Sequence, residues 1–533
     1  MNIDSYYPRI DKNNFYLGLI SQVSRDNVVL QVENLSLFNN RKIKQEILIP
    51  NTINFFVVID SAYGIFLGEV YQSKVLGIDS LHKSKSDEKK ITVFPEINID
   101  IIGLLGNDEK FKLSGFKTVG ITDKVYLANK ILVKKYLASI EVNKYEGQKL
   151  LKNLAKIGNF DAEFMDLQPN TLFDRHLMAI GTTNSGKSTS ALTILDRLLK
   201  LNKKVLIIDP TGEYKSAFSN KEIEKLTLGV DTFLSTKYVS EMEWIRLFGI
   251  EHNANQSSVL AEAIISLKFQ FSQRVSEPLK KEGEKLSLIK GKLNEYVGKN
   301  SPFNLELLEE QVKNEAVKDR NGDYVKDGNL YNALLWLLQI ISFYKEQTRL
   351  ITFFREDSNK ELFSKIDGFL SKRRKKSLYI DFSQIGVSEN IGLVIIDLIS
   401  NHILNKQREE IDPFVMYIDE VHRYTKSNYE NASSLVSIAR EGRKKGIFLF
   451  LTTQNPKDIP DVLLGQVGSL IIHRLTHPEE LKVIQNLVKQ KTLSQIQNLN
   501  QGEAILTSIN LLQDIHLRFI KSSRNHKNDT PIL

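Results

Sequence analysis

One stretch, Gly181-Thr182-Thr183-Asn184-Ser185-Gly186-Lys187-Ser188, limits this chain more than any other. Two glycines enclosing four residues, then Lys and a hydroxyl, have the spacing of a P-loop, whose successive backbone N–H groups face a phosphate chain. Such a loop needs a buried strand before it and a helix after it. His176-Leu-Met-Ala-Ile180 is a short apolar run that suits the strand. Thr189 to Lys200 then carries Ala191, Leu192, Leu195, Leu198 and Leu199 at helical spacing. In that context the helix N-terminus adds partial positive charge, Lys187 reaches the β/γ-phosphates and Ser188 ligates Mg²⁺. Gly181 to Thr189 are therefore the nucleotide-binding candidates, with ATP and Mg²⁺ as expected cofactors.

Further apolar runs end in polar residues, as strands lining a nucleotide crevice do in a parallel α/β sheet. Lys203-Lys-Val-Leu-Ile-Ile208 ends in Asp209-Pro-Thr-Gly-Glu213-Tyr214, which makes Asp209 and Glu213 site candidates or an ordinary acidic turn. Pro413-Phe-Val-Met-Tyr-Ile418 ends in Asp419-Glu420, and Ile447 to Thr453 ends in Gln454. Asp419 suits a Mg²⁺ ligand and Glu420 a general base for an attacking water. Gln454 is placed to contact a γ-phosphate. Arg440 and Arg443 share an expected helix, Ser434 to Lys445, and either suits an arginine finger or a salt bridge with Glu441.

Before the loop, Tyr16 to Val75 reads as short strands rich in β-branched and aromatic residues, with further pieces at Glu46-Ile-Leu-Ile49, Ile91-Thr-Val-Phe94, Ile97 to Leu105 and Val125-Tyr-Leu127. The expected organisation is a small β-barrel over 1–125 and a connecting region over 126–170. A P-loop core follows over 171–507, then a tail over 508–533 that frays from Ser522. Residues from about 220 to 375 form an expected helical insertion, with helices at Glu241 to Phe248, Val259 to Gln270, Leu279 to Tyr296, Leu305 to Ala316 and Leu330 to Gln347. Asn321-Gly-Asp-Tyr-Val-Lys-Asp-Gly328 inside it has strong turn chemistry and reads as a hairpin or an exposed loop. The run Lys372-Arg-Arg-Lys-Lys376 is either a solvated charge cluster or a phosphate-backbone contact. The polar stretch Ser80 to Lys90 reads as a surface loop.

The 533 residues suffice for about three domains, and 72 Lys+Arg against 64 Asp+Glu give a net charge of +8, which permits nucleic-acid binding. Absence of cysteine removes disulfides, thiolate nucleophiles and Cys-ligated zinc. No apolar run is long enough to span a bilayer, and the expected location is cytoplasmic.

Taken together, His176 to Ser188, Ile208 to Tyr214, Tyr417 to His422 and Ala439 to Gly446 through Thr453-Gln454-Asn-Pro456 resemble the HerA branch of the HerA/FtsK superfamily of ring-forming ATPases. The resemblance implies a RecA-like P-loop core with an N-terminal barrel and a helical insertion. It also implies a homo-hexamer around double-stranded DNA, with Arg443 or Arg440 acting on a neighbour's site. Bacterial relatives of this kind work with a nuclease or a sirtuin-like NADase effector in antiphage defence, which here would be another chain. The alternative is a nucleotide-gated ring scaffold that regulates such an effector without processive movement. Thr211 stands where the family often has His, and Thr183-Asn184 where Thr-Gly is more usual.

Overall fold

The computed structural model describes residues 3–7, 12–24, 27–33, 35–43, 46–48, 52–75, 94–158, 160–348, 350–357, 359–385, 389–425 and 433–524. The expected surface loop Ser80 to Lys90, and Ile49 and Ile91 to Val93 of the expected strands, lie outside them. The chain forms two compact units. The first comprises Met1–Asp174, Asn184–Gly186 and Gly468–Ile520, and the second the remainder.

The first unit opens with a barrel. Its strands are β1 (Tyr16–Val23), β2 (Val28–Val32), β5 (Phe56–Ser61), β6 (Gly64–Lys74), β7 (Glu96–Leu105), β8 (Phe111–Lys112) and β9 (Lys124–Leu127), with β3 (Arg41–Ile43) and β4 (Glu46–Leu48) as a separate hairpin. The antiparallel order β2-β1-β9-β5-β6-β7 closes through a β2–β7 pairing, and the short β8 is added to the end of β7. Inward residues such as Leu17, Leu30, Val57, Ile59, Phe66, Ile97, Ile99 and Val125 are buried.

The expected connecting region is itself structured. A helix, Lys130–Ala138, is capped by Asn129, whose side chain accepts from Leu132 N at 3.0 Å. An antiparallel hairpin follows, β10 (Leu151–Ile157) and β11 (Phe160–Leu167). Its alternation is broken by lysines and acids, which is why it escaped the strand pattern.

The second unit holds a parallel sheet: β12 (His176–Ile180), β13 (Lys204–Asp209), β14 (Ile223–Thr227), β17 (Ser377–Asp381), β18 (Phe414–Ile418) and β19 (Ile447–Thr453). Its order is β12-β19-β18-β13-β17-β14, every pair parallel. Every residue of β12, β13, β17 and β18 is buried, the signature of strands covered on both faces. β19 lies between the P-loop strand β12 and the acid-bearing strand β18.

The insertion begins later than expected, because Ile223–Thr227 is a strand. Its mouth is tied by β-bridges, Phe233 with Glu361 and Leu234 with Phe354, and by Leu228 N donating to Asp381 O at 3.1 Å. Inside are helices Glu241–Phe248, Ala254–Ser272, Leu286–Asn294, Leu308–Asn314 and Gly328–Glu346, and the helix Leu362–Leu370 follows the exit. The expected helix from Leu279 to Tyr296 is thus only its second half. The Asn321-Gly322 signal is a two-residue hairpin turn, φ 57° and 90°, joining β15 (Val317–Arg320) to β16 (Asp323–Lys326).

In the first unit again, β20 (Val467–Ile472), β21 (Glu503–Ser508) and β22 (Ile515–Arg518) form an antiparallel run whose last strand pairs with β10. The tail is therefore strand up to Arg518, and Arg524 is anchored rather than frayed. Among the described residues no helix is long and apolar enough to cross a membrane.

Candidate nucleotide site

β12 delivers the chain at Gly181, whose N–H donates to Thr453 O at 3.3 Å. The loop then turns through two left-handed residues, Asn184 at φ 64° and Gly186 at φ 111°. Asn tolerates this region better than other side-chain-bearing residues. Gly186 has no substitute: a Cβ there would lie 2.8 Å from Gly502 N. The helix Lys187–Lys200 starts immediately afterwards.

Lys187 is buried, and its Nζ donates to Glu420 Oε1 at 2.5 Å. The same oxygen accepts from Gln454 Nε2 at 2.6 Å, and Gln454 Oε1 accepts from Thr183 Oγ1 at 2.7 Å. Lysine, glutamate, glutamine and loop threonine thus form one hydrogen-bonded chain across the ends of β18 and β19. Glu420 itself sits in the left-handed region, φ 46° and ψ 51°, a backbone cost of about 1–3 kcal/mol tolerated at functional turns. Burial pushes its carboxyl up, but Lys187 and Gln454 outweigh this and hold it below the usual range. Its other oxygen, Oε2, is buried and hydrogen-bonded to no described residue, with His422 Nδ1 3.3 Å away.

Asp419 is buried and pushed up to about 6, by burial first and then by Glu420. Its Oδ1 accepts from Tyr417 OH at 2.8 Å and Thr452 Oγ1 at 2.5 Å, while Glu420 N donates to the same threonine oxygen at 3.0 Å. Tyr417 and Tyr214 hydroxyls are 3.1 Å apart, and Tyr214 OH is hydrogen-bonded to Ser188. Two tyrosines therefore join the oxygen donors suited to a hard cation, Ser188 and Asp419.

Asp209 takes a different part from the one its position suggested. Its Oδ1 accepts from Thr211 N, Thr211 Oγ1 and Gly212 N, and its Oδ2 from Tyr214 N and Tyr379 OH, all at 2.8–2.9 Å. Five donors occupy this carboxylate, so it holds the turn rather than facing a ligand. Glu213 is half-buried and pushed up to about 7, by burial first and then by Asp419, Asp209 and Glu420.

This arrangement coincides with matches to known families. The family described as "Helicase HerA, central domain" matches residues 155–405, and "Helicase HerA-like C-terminal" matches residues 406–512. The chain is a HerA-like ATPase. A probable helicase of Methanocaldococcus jannaschii is 26% identical over 348 residues, 64% of this chain and 61% of that protein. A probable DNA double-strand break repair helicase HerA of the same organism is 25% identical over 459 residues, 76% of this chain and 85% of its own length. Among solved structures, VirB4 of Thermoanaerobacter pseudethanolicus aligns with a TM-score of 0.49 at 14% identity, over 71% of this chain and 98% of that one.

The two candidate finger residues of this HerA-like ATPase, Arg440 and Arg443, are both on the helix Ser434–Lys445. The helix Ser434–Lys445 ends where β19 begins, closed by Gly446 at φ 84°. Gln454 follows the last residue of β19, so Arg443 and Gln454 are separated by a strand of about 20 Å. His176 locks this helix in place: its Nε2 lies 2.8 Å from Ala439 O, and its Nδ1 accepts from Leu449 N at 2.9 Å. Burial lowers the pKa of this imidazole, and the acceptor role of Nδ1 requires the proton on Nε2.

The basic run Lys372 to Lys376 of the HerA-like ATPase precedes β17 and so sits at the sheet end opposite Glu420. Arg374 pairs with Glu224, while Lys372, Arg373 and Lys375 are exposed. Sequence reasoning passed over Tyr214, Tyr417, Thr452 and His176. Tyr417 stands two residues before Asp419 at the end of β18, and that spacing was the available signal.

Proposed function

We propose that this protein couples Mg²⁺-dependent ATP hydrolysis to movement along, or remodelling of, double-stranded DNA as a homo-hexameric ring. The observation that carries this reading is the Lys187–Glu420–Gln454 chain at one end of the sheet, together with an arginine-bearing helix whose end lies at the other. Such a protomer supplies a loop and a base to one site and an arginine to the next, so the site is complete only between copies.

Bound nucleotide and Mg²⁺ would supply the phosphoanhydride and the charge that the loop meets. Lys187 exchanges its bond to Glu420 for one to the phosphates, and Ser188 and Asp419 hold the cation. Glu420, freed of the lysine, orients and deprotonates water; its Oε2, to which no described residue hydrogen-bonds, is a buried acceptor of the kind an ordered water satisfies. Gln454 keeps one hydrogen bond to the base and offers its amide to the γ-phosphate, with Thr183 fixing its orientation. Arg443 or Arg440 of one copy stabilises charge in the neighbour's site.

An effector chain with nuclease or NAD-consuming activity, in antiphage defence, is the partner we assign to the ring. The glutamate's engagement by lysine also favours a second reading, a nucleotide-gated scaffold that turns over slowly. The test is ATP turnover with and without long duplex DNA, with particle mass measured on the same sample. Stimulation in a hexamer supports the motor; DNA-indifferent turnover in a hexamer supports the scaffold; a monomer overturns both.

A further inference from the structure

The last described residue, Arg524, lies beyond the matched family region, which ends at 512. Its guanidinium is nonetheless built into the second unit. Nε donates to Asp196 Oδ1 at 2.6 Å, Nη2 to Glu222 Oε1 at 2.6 Å, and Nη1 to Glu222 Oε2 and Ala217 O, both at 3.1 Å. The group also lies 5.1 Å from the Phe218 ring centroid. Its side chain is 13% exposed. A bidentate fork with two acids, a carbonyl and an aromatic face is not an incidental surface pair, and arginine alone fits it.

Two of these partners, Asp196 and Ala217, lead back to the nucleotide loop. Asp196 is on the helix Lys187–Lys200, two turns past Ser188. Ala217, whose carbonyl Arg524 holds, donates its N–H to Tyr214 O at 3.0 Å, and Tyr214 OH is bonded to Ser188. The contacts close a circuit: Ser188, Tyr214, Ala217, Arg524, Asp196 and back along the helix. Arg524 thus gives the segment carrying Glu213 and Tyr214 a second tie to the helix, besides the Tyr214–Ser188 bond. The Arg524 hydrogen bond also draws the Glu222 carboxyl down to about 2, so the clamp stays charged at ordinary pH.

We propose that Arg524 is a positioning residue of the nucleotide site, a C-terminal clasp that fixes the turn Thr211 to Glu222 against the P-loop helix. This rests on the reading that Lys187 and Ser188 hold the nucleotide. The clasp acts on affinity, because Tyr214 orients Ser188, and leaves the base Glu420 untouched.

The experiment uses full-length protein with Arg524→Ala, Arg524→Lys and Glu222→Gln, and a deletion of residues 525–533 as control. Equilibrium binding of Mg²⁺-ATP, hydrogen exchange over residues 211–222, melting temperature, KM and kcat are measured on each. Arg524→Ala should weaken binding and raise KM about tenfold, as loss of one charged contact transmitted to the ligand would, while kcat changes little. Exchange over the turn should accelerate with or without nucleotide. Arg524→Lys and Glu222→Gln, each keeping part of the fork, should fall between, and the deletion should match the parent. Parent-like binding and exchange in Arg524→Ala would overturn the proposal; if that variant does not fold, parent-like behaviour of Glu222→Gln would do so. Lys187→Ala binding ATP like the parent would instead sink the nucleotide-site reading, with the exchange result still deciding the clasp.

Discussion

Replacing Glu420 by glutamine separates two things the carboxylate does at once, holding Lys187 and activating water. Its Oε1 receives Lys187 Nζ and Gln454 Nε2, and the lysine and glutamate side chains are only 6% and 9% exposed, so solvent screens the pair little. A charged hydrogen bond contributes about 1.5–3 kcal/mol net, and this one competes with phosphate for Lys187. Glutamine keeps the shape and an acceptor oxygen but removes the charge. Glu420→Gln should therefore bind Mg²⁺-ATP about 10- to 100-fold more tightly than the parent. The same variant lacks a general base, which should slow hydrolysis by about 10²- to 10⁴-fold. The assay pairs equilibrium binding of a fluorescent ATP analogue with single-turnover phosphate release. Tighter binding with stalled release is the expected result. Release at the parent rate would refute the role of Glu420, and weaker binding would refute the idea that it restrains Lys187.

Two further outcomes are expected. Alanine at Arg443 or at Arg440 should lower turnover by about 10³-fold or more without changing nucleotide binding, and mixing with Lys187→Ala protein should restore part of the activity; absence of complementation would count against action between copies. His176→Phe orphans a buried Leu449 N–H and removes a donor from Ala439 O, costing about 2–4 kcal/mol by denaturant unfolding. Burial depresses the His176 pKa, so its contribution is fully present above the unfolded value of about 6.5 and is lost as pH falls through the folded one. The stability gap between parent and variant should accordingly narrow on acidification, and a gap that widens would exclude the neutral-imidazole lock.

The sheet edge to which we assign the nucleotide was legible because its residues are grouped locally. Gly181 to Ser188, Asp419-Glu420 and Gln454 each end an uninterrupted apolar run, and the parallel sheet gathers the ends of such runs. The barrel strands were legible from their β-branched and aromatic runs. What escaped depends on pairing between distant segments. Leu151–Ile157 reads as polar because lysines interrupt it, and only its partners β11 and β22 make it a strand. Ile223–Thr227 carries two charged residues and is short, yet it completes the sheet beside β17. Asp209 looked like a ligand because it ends a strand, but five donors from its own turn and Tyr379 had no signature in spacing. Arg524 lay in a polar tail, and nothing near it in sequence announces Asp196 or Glu222.

The mouth of the insertion has a consequence for how such a chain can vary. Its entrance and exit meet as bridged neighbours, Phe233 with Glu361 and Leu234 with Phe354, beside strands β14 and β17 at the sheet's border. The intervening helices also satisfy their own buried charge, since Glu315 accepts from Lys281, Ser266 and Gln311. A segment that starts and stops at one spot on the outermost strands, and settles its electrostatics internally, can be lengthened, trimmed or exchanged without altering the register of the central strands. Partner choice could then diverge among related chains through this appendage while the hydrolytic edge stays the same.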